Sequence, residues 1–352
     1  MKNDIAQRKL DHLNTVLHRD VSNKVGTGFE HIRFEHNALP EIDFDRIDVS
    51  TEFMGRSLRA PLLVSSMTGG PEKARLINEA IAAMAQELKI AFAVGSQRIA
   101  LQSPQSAGFD KALRRLAPDV PILANIGAAQ LLESNPVDTA RRAVEMIEAD
   151  ALIVHLNPLQ EVLQQGGDRR WHGVLKNIEL LVLELSCPLI IKEVGCGISA
   201  DVARRLASVG VASIDIAGMG GTSWAAVEAD RAESAQERQI AECFRDWGIP
   251  TSQSLINVHA ACPKMNLIAS GGMKTGLDVA KAIRLGANMA GFAASILPAT
   301  LAGTEALISR FQGIITELKI AAFCTGSASL KALTKACLLE RSIPESKTGI
   351  IS

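Results

Sequence analysis

The sequence predicts an α/β fold, a single eight-stranded β/α barrel of the TIM type spanning residues 1–352. Three observations predict it. Short apolar, β-branched runs recur at Pro61–Ser65, Ile90–Val94, Pro121–Ala124, Ala151–Val154, Pro188–Ile191, Ala212–Ile216, Asn266–Ala269 and Asn288–Phe292. Most of the intervals hold one segment with apolar spacing near 3.6, as in Leu76–Leu88, Val137–Ile147, Lys176–Leu185, Ala200–Ser208 and Leu277–Leu285. Each run ends abruptly in glycine or polar groups. Nearly continuous apolar strands suit a parallel sheet covered on both faces, and strict alternation with helices closes such a sheet into a barrel.

Taken in order, residues 1–60 form a polar N-terminal extension. Ala6 to Val16 has helical character, with Arg8, Lys9 and His12 close on one face; its pattern alone reads as a solvated amphipathic end. Phe34 to Asp48 reads as an extended segment across one end of the domain. In the barrel proper, helix starts carry their expected signals: Asn135-Pro136, Ser199 before Ala200, and Thr275-Gly276 before Leu277. One interval is too long. Residues 218–264, charged from Glu228 to Arg245, predict a lid-like insertion after the sixth strand, followed by the usual helix. Residues 304–352 predict one or two amphipathic helices closing the barrel and then a loose polar tail from Arg341.

Composition narrows the function classes. With 37 basic and 38 acidic residues the net charge is −1, which gives neither a nucleic-acid footprint nor a polybasic membrane anchor. No apolar run approaches the ~18 residues of a membrane helix, and the N-terminus lacks the apolar core of a signal peptide. The 6 cysteines are scattered, without a Cys-x-x-Cys pair, as expected of reduced thiols in a cytoplasmic protein. Nothing has the spacing of a zinc site. There is no tyrosine.

The strand ends are the informative part, because in a barrel they converge on one face. In order they read Ser66-Met67-Thr68-Gly69-Gly70, Gly95-Ser96-Gln97-Arg98, Asn125-Ile126-Gly127, His155-Leu156-Asn157-Pro158-Leu159-Gln160-Glu161, Lys192-Glu193, Gly218 to Trp224, Ser270-Gly271-Gly272 and Ala293-Ala294-Ser295. Glycine lets backbone N–H groups approach phosphate oxygens closely, and the ends of strands seven and eight are the recurrent phosphate position of this fold. A lysine facing a barrel interior is costly unless it meets an anion. Lys192 therefore reads as a Schiff-base lysine, as a group set against an electron-rich cofactor ring, or as half of an ion pair with a neighbouring acid. Glu161 is a hard oxygen ligand; with ligand phosphates and water, one carboxylate suffices for Mg2+.

Together, Arg8-Lys9 with His12, Met67 to Gly70, Gly95 to Arg98, His155 to Glu161, Lys192-Glu193, Gly220 to Trp224 and Ser270 to Gly272 resemble the type 2 isopentenyl-diphosphate Δ-isomerases over nearly the whole chain. Ser-Gly-Gly occurs in many flavin barrels, whereas the combination of Arg-Lys-x-x-His, Gly-Ser-Gln-Arg and His-Leu-Asn-Pro-Leu-Gln-Glu is specific. The resemblance implies an FMN- and Mg2+-dependent isomerase of isoprenoid biosynthesis. Its FMN is reduced by NADPH or NADH, and it interconverts isopentenyl and dimethylallyl diphosphate without net redox change. It implies FMN contacts from Met67, Thr68, Gly69, Ser96, Asn125, Lys192, Thr222, Gly271, Gly272, Ala293 and Ala294. It implies substrate contacts from Arg8, Lys9, Ser96, Arg98, His155, Asn157, Gln160 and Trp224, with Mg2+ on Glu161; in that picture the N-terminal helix folds over the barrel mouth and brings Arg8 and Lys9 to the diphosphate. It also places catalytic roles on Lys192, His155 and Gln160, and implies a homo-tetramer or homo-octamer.

Chemistry agrees with the resemblance. Shifting a double bond by one position requires protonating an unactivated alkene, and no side-chain pair here is suited to that, whereas a reduced flavin can give and take a proton. A 2-hydroxy-acid oxidase, another flavin barrel, relies on an active-site tyrosine that this chain lacks. An IMP-type dehydrogenase needs a catalytic cysteine loop, and neither Cys196 nor Cys243 has that context. A non-catalytic phosphate sensor explains the glycine loops but not His155, Gln160 and Glu161 together.

Overall fold

Eight strands pair in parallel and close on themselves in a computed structural model that describes residues 11–67, 71–102 and 108–339. A hairpin precedes them, β1 (Thr51–Phe53) and β2 (Arg56–Leu58), turning through Met54 and Gly55, both at positive φ. The barrel strands are β3 (Leu62–Val64), β4 (Ala91–Ala93), β5 (Ile122–Gly127), β6 (Ala151–Leu156), β7 (Leu189–Glu193), β8 (Ser213–Asp215), β9 (Asn266–Ala269) and β10 (Met289–Phe292). They neighbour one another in chain order, and β10 closes on β3.

Side-chain alternation divides the core in two. One parity points inward: Leu63, Ala91, Ala93, Leu123, Ile153, Ile190, Ile268 and Met289 fill the barrel together with Phe53 and Leu58 of the hairpin. The hairpin thus plugs the N-terminal end of the barrel, a feature the sequence reading does not contain. The other parity, including Leu62, Val64, Phe92, Ile122, Leu152 and Ile191, packs outward beneath the helices.

Those helices match the periodic segments. Pro71–Leu88, Pro136–Ile147, Val174–Glu184, Ala200–Ser208 and Gly276–Arg284 fall where apolar spacing places them. Ser199 and Thr275 cap their helices by accepting from the N–H groups of Val202 and Asp278. Residues 218–264 carry three helices, Trp224–Asp230, Ala235–Cys243 and Thr251–Ala261, the last packing in the usual position before β9. The long helix Thr304–Cys324 packs across Pro71–Leu88 and Gly276–Arg284. Phe34 bridges to Leu338 and Asp48 to Ser329, so the 34–48 segment is held to the residues that follow the long helix.

Two expectations need correction. The fourth strand does not end at Val154: the ladder continues to Leu156, because His155 pairs with both Gly127 and Lys192. His12 is not solvated. The helix over residues 11–18 lies on the barrel mouth, with His12 and Leu13 buried, and the following segment is strapped to the loop after β8. Asn23 N–H donates to Gly221 O at 2.9 Å, and Ser223 N–H to Val21 O at 2.7 Å.

Candidate active site

Inward parity continues past the apolar plug, and there the residue types change. One register row runs Gly127, His155, Lys192, Asp215 across β5 to β8. By the same alternation Ser65, Asn125, Ser270 and Gly291 point inward. All of these except Asp215, which is buried behind them, line a cavity of about 670 Å³ at the C-terminal end of the strands, within the range of ligand pockets.

Of the residues singled out from the sequence, Met67, Ser96, Arg98, Asn125, His155, Asn157, Gln160, Glu161, Lys192, Thr222, Trp224, Gly271, Gly272, Ala293 and Ala294 line this cavity. Thr68, Gly69, Arg8 and Lys9 lie outside the described residues. His12, Leu13 and Val16 of the N-terminal helix wall the opposite side, with the His12 ring edge-on to Trp224 at a centroid distance of 5.2 Å.

Hydrogen bonds fix the floor. Asn125 Nδ2 donates to Val94 O at 3.2 Å, so its Oδ1 is the acceptor for His155 Nδ1 at 2.8 Å and sets that tautomer. Gln97, fully buried, holds Asn125 in turn: its Oε1 accepts the Asn125 N–H at 2.9 Å, and its Nε2 donates to Ala143 O at 2.8 Å. Lys192 Nζ donates to Glu193 O at 2.8 Å and lies 3.4 Å from Asp215 Oδ2. Glu193 points away from the cavity. Its Oε2 accepts three backbone N–H groups, from Val194, Gly195 and Cys196, at 2.6, 2.6 and 2.5 Å. Burial outweighs those bonds and pushes its carboxyl up to about 7. Burial, with the Glu193 charge, also raises the Cys196 thiol to about 12, which makes it unsuited to nucleophilic work.

Above the floor, Glu161 is buried near the start of the helix Pro158–Leu163. Its Oε1 accepts from Asn157 Nδ2 at 3.0 Å and its Oε2 from the Asp168 N–H at 2.7 Å. Each oxygen keeps a lone pair for a cation, so a one-carboxylate Mg2+ site with water and phosphate ligands fits. Among the described residues no cluster of three His, Cys, Asp or Glu side chains could hold a metal by itself. Arg98 pairs with Asp168 at 2.9 Å.

The pocket also suits a flavin mononucleotide. The hydroxyls of Ser65 and Ser66 and the Nε of Arg98 are buried without a hydrogen bond in the protein, and all three residues line the cavity. Gly271 and Gly272 hold φ of 98° and 72°, and a Cβ on either would strike the backbone of the loop after β8. That close fit presents bare backbone at the phosphate position of the fold.

Four partners escaped the sequence reading: Gln97, Asp215, Glu228 and Arg231. Glu228 Oε1 lies 3.0 Å from His12 Nε2, and Arg231 donates to Glu228 Oε2 at 2.8 Å. Burial opposes ionisation of Glu228, but His12, Arg231 and Gln160 together hold its carboxyl below the usual value. A lone acid inside the apolar run Ser213 to Ile216 was the one available signal for Asp215.

The chain is similar to several known proteins. A family model described as FMN-dependent dehydrogenase matches residues 138–340. An isopentenyl-diphosphate delta-isomerase of Stutzerimonas stutzeri (strain A1501) is 57% identical over 344 residues, 97% of this chain and 99% of that protein. One of Pseudescherichia vulneris is 57% identical over 333 residues, 94% of this chain and 96% of that protein. The solved structure of mandelate oxidase with (S)-2-phenylpropionate superposes with a TM-score of 0.67 at 15% identity, covering 96% of this chain and 97% of that chain, a likeness of fold alone.

Proposed function

The chain belongs to the isopentenyl-diphosphate delta-isomerases, and from that premise we propose that it interconverts isopentenyl and dimethylallyl diphosphate by allylic proton transfer with reduced FMN and Mg2+. The observation that carries this reading is the single cavity shared by Lys192, His155, Gln160 and Glu161.

When bound and reduced, FMN supplies a ring nitrogen that can give and take a proton at carbon. The chain's own residues do the rest. Met67, Thr68, Gly69, Ser96, Asn125, Lys192 and Thr222 would hold the flavin, and Gly271, Gly272, Ala293 and Ala294 would meet its phosphate through backbone. Arg98, with Arg8 and Lys9, would take the substrate diphosphate. Ser96, His155, Asn157 and Gln160 would orient the substrate between that anchor and the flavin. Glu161 would hold Mg2+ against the diphosphate. Trp224, Leu13 and Val16, which line the cavity, would form an apolar wall that keeps water from the reacting carbons. The same reading includes NADPH or NADH as reductant, a homo-tetramer or homo-octamer, a cytoplasmic location, and no nucleic-acid or membrane partner. The near-zero net charge supports the lack of a nucleic-acid partner, and the six free cysteines support the location; the reductant and the oligomer rest on the family alone.

The test is an anaerobic assay with isopentenyl diphosphate, FMN, NADPH and Mg2+, following dimethylallyl diphosphate by chromatography. Product should disappear when FMN stays oxidised or metal is chelated, without stoichiometric loss of NADPH. Tight FMN binding with no product would leave the cofactor and overturn the substrate. Glu161→Gln should raise the Mg2+ concentration needed for half-maximal rate by about tenfold or more, the scale of losing one charged ligand; an unchanged metal response would move the site elsewhere.

A further inference from the structure

We infer that Asp215 is the positioning residue for Lys192: a buried carboxylate that holds the lysine ammonium at the flavin and ties it to the loops that carry the flavin phosphate. The inference rests on the FMN reading above.

Asp215 ends β8, in register with Lys192 of β7 on one side and Ile268 of β9 on the other, and is fully buried. Its two oxygens differ. Oδ1 accepts from Ser270 Oγ at 2.6 Å and from Ala217 N–H at 3.2 Å. Oδ2 makes no hydrogen bond and lies 3.4 Å from Lys192 Nζ. A fully buried carboxylate is strongly destabilising unless a cation compensates it, and Lys192 is its one ion-pair partner among the described residues.

Oδ1 reaches the phosphate loops. Ala217 sits at φ 34°, an uncommon conformation for a residue with a Cβ, and the Asp215 side chain closes a turn around it. That turn leads into Gly218, whose N–H donates to Ser270 O at 2.9 Å. Ser270 opens Ser270-Gly271-Gly272. One side chain therefore joins the lysine of β7, the glycine loop after β8 and the phosphate loop after β9.

A purely structural role and a positioning role separate on one substitution. In Asp215→Asn the amide oxygen can still accept from Ser270 and Ala217, so the loops keep their support. The amide nitrogen is a donor facing an ammonium, so Lys192 loses its ion-pair partner, keeps the Glu193 carbonyl, and moves away from residue 215. Lys192 lines the cavity and Asp215 does not, so the ammonium's displacement outweighs the loss of the more distant carboxylate charge, and less positive potential faces the reduced, anionic flavin.

The experiment uses FMN-loaded wild type, D215N, S270A, K192A and the double variants D215N/K192A and S270A/K192A. FMN affinity is measured by fluorescence titration and the flavin midpoint potential by equilibration with a reference dye. D215N should shift the oxidised–reduced equilibrium about tenfold toward oxidised flavin, about 30 mV for a two-electron couple. S270A should shift it less in the same direction. Neither change should lower the potential when K192A is already present; D215N, which then removes only a negative charge, should leave it unchanged or raise it. An unchanged or raised potential in FMN-loaded D215N would overturn the inference, as would an equal shift in the K192A background. If D215N does not fold, S270A decides: no shift, or one that survives K192A, overturns it. Wild type that takes up no FMN would instead remove the cofactor reading, and this inference with it.

Discussion

Lys192 shows how one residue gains its meaning from two neighbours. Its sequence position left an imine-forming lysine, a cofactor-facing lysine and an ion pair all open; the structure gives it an ion pair with Asp215 and, at the same time, a place on the cavity floor. Lys192→Ala should lower kcat by ~10²–10³, about 3–4 kcal/mol, the scale of a preorganised electrostatic donor, with FMN retained by its visible absorption. Unchanged turnover would sink that role. Glu193, one residue on, makes a prediction about pH. Its carboxyl is raised to about 7 in the folded protein from an ordinary value of 4.5, so the folded chain keeps a proton that the unfolded chain releases. Its contribution to stability is complete below about 4.5 and is lost as pH rises toward about 7. Glu193→Gln removes the titration while its amide oxygen can still accept the three N–H groups. The variant should therefore gain melting temperature relative to wild type between those pH values and hold a constant difference above them; a difference independent of pH would refute the assignment.

At the scale of elements, the N-terminal helix and the loop after β8 act as one unit. Backbone bonds from Asn23 and Ser223 strap them together, and the contacts of His12 with Trp224 and Glu228 seal one wall of the cavity. Local pattern alone places His12 on a solvated face because its partner Glu228 lies 216 residues further along the chain. Removing residues 1–12 should raise KM for the prenyl diphosphate by roughly tenfold or more, since charged hydrogen bonds are worth about 1.5–3 kcal/mol each, while FMN stays bound. Equal loss of FMN, read from its absorbance after gel filtration, would show that the helix supports the barrel instead.

For the molecule as a whole, an apolar plug supports a polar layer. Leu63, Leu123, Ile153, Ile190 and Ile268 fill the barrel beneath His155, Lys192 and Asp215, so the floor of the site cannot sink without opening the core. Leu63→Ala should cost about 2–5 kcal/mol in denaturant unfolding, the range for a fully buried leucine in a packed interior. A cost below about 1 kcal/mol would mean that the barrel interior collapses around the gap and is not a rigid support.

The sequence by itself determined the barrel, the order of its strands and most of the cavity lining. Periodicity is local, parallel strands joined by single helices leave few alternative topologies, and barrel closure sends every strand end to one face. It did not reveal the hairpin plug, whose two strands have only three residues each and take their stability from the barrel they enter. Nor did it reveal which side chains share a hydrogen bond. Asp215 with Lys192 and Ser270, Gln97 with Asn125, and Glu228 with His12 are pairings that only the tertiary structure decided, because each partner comes from a different element. A buried polar group states that it needs a partner, but register and packing choose which one.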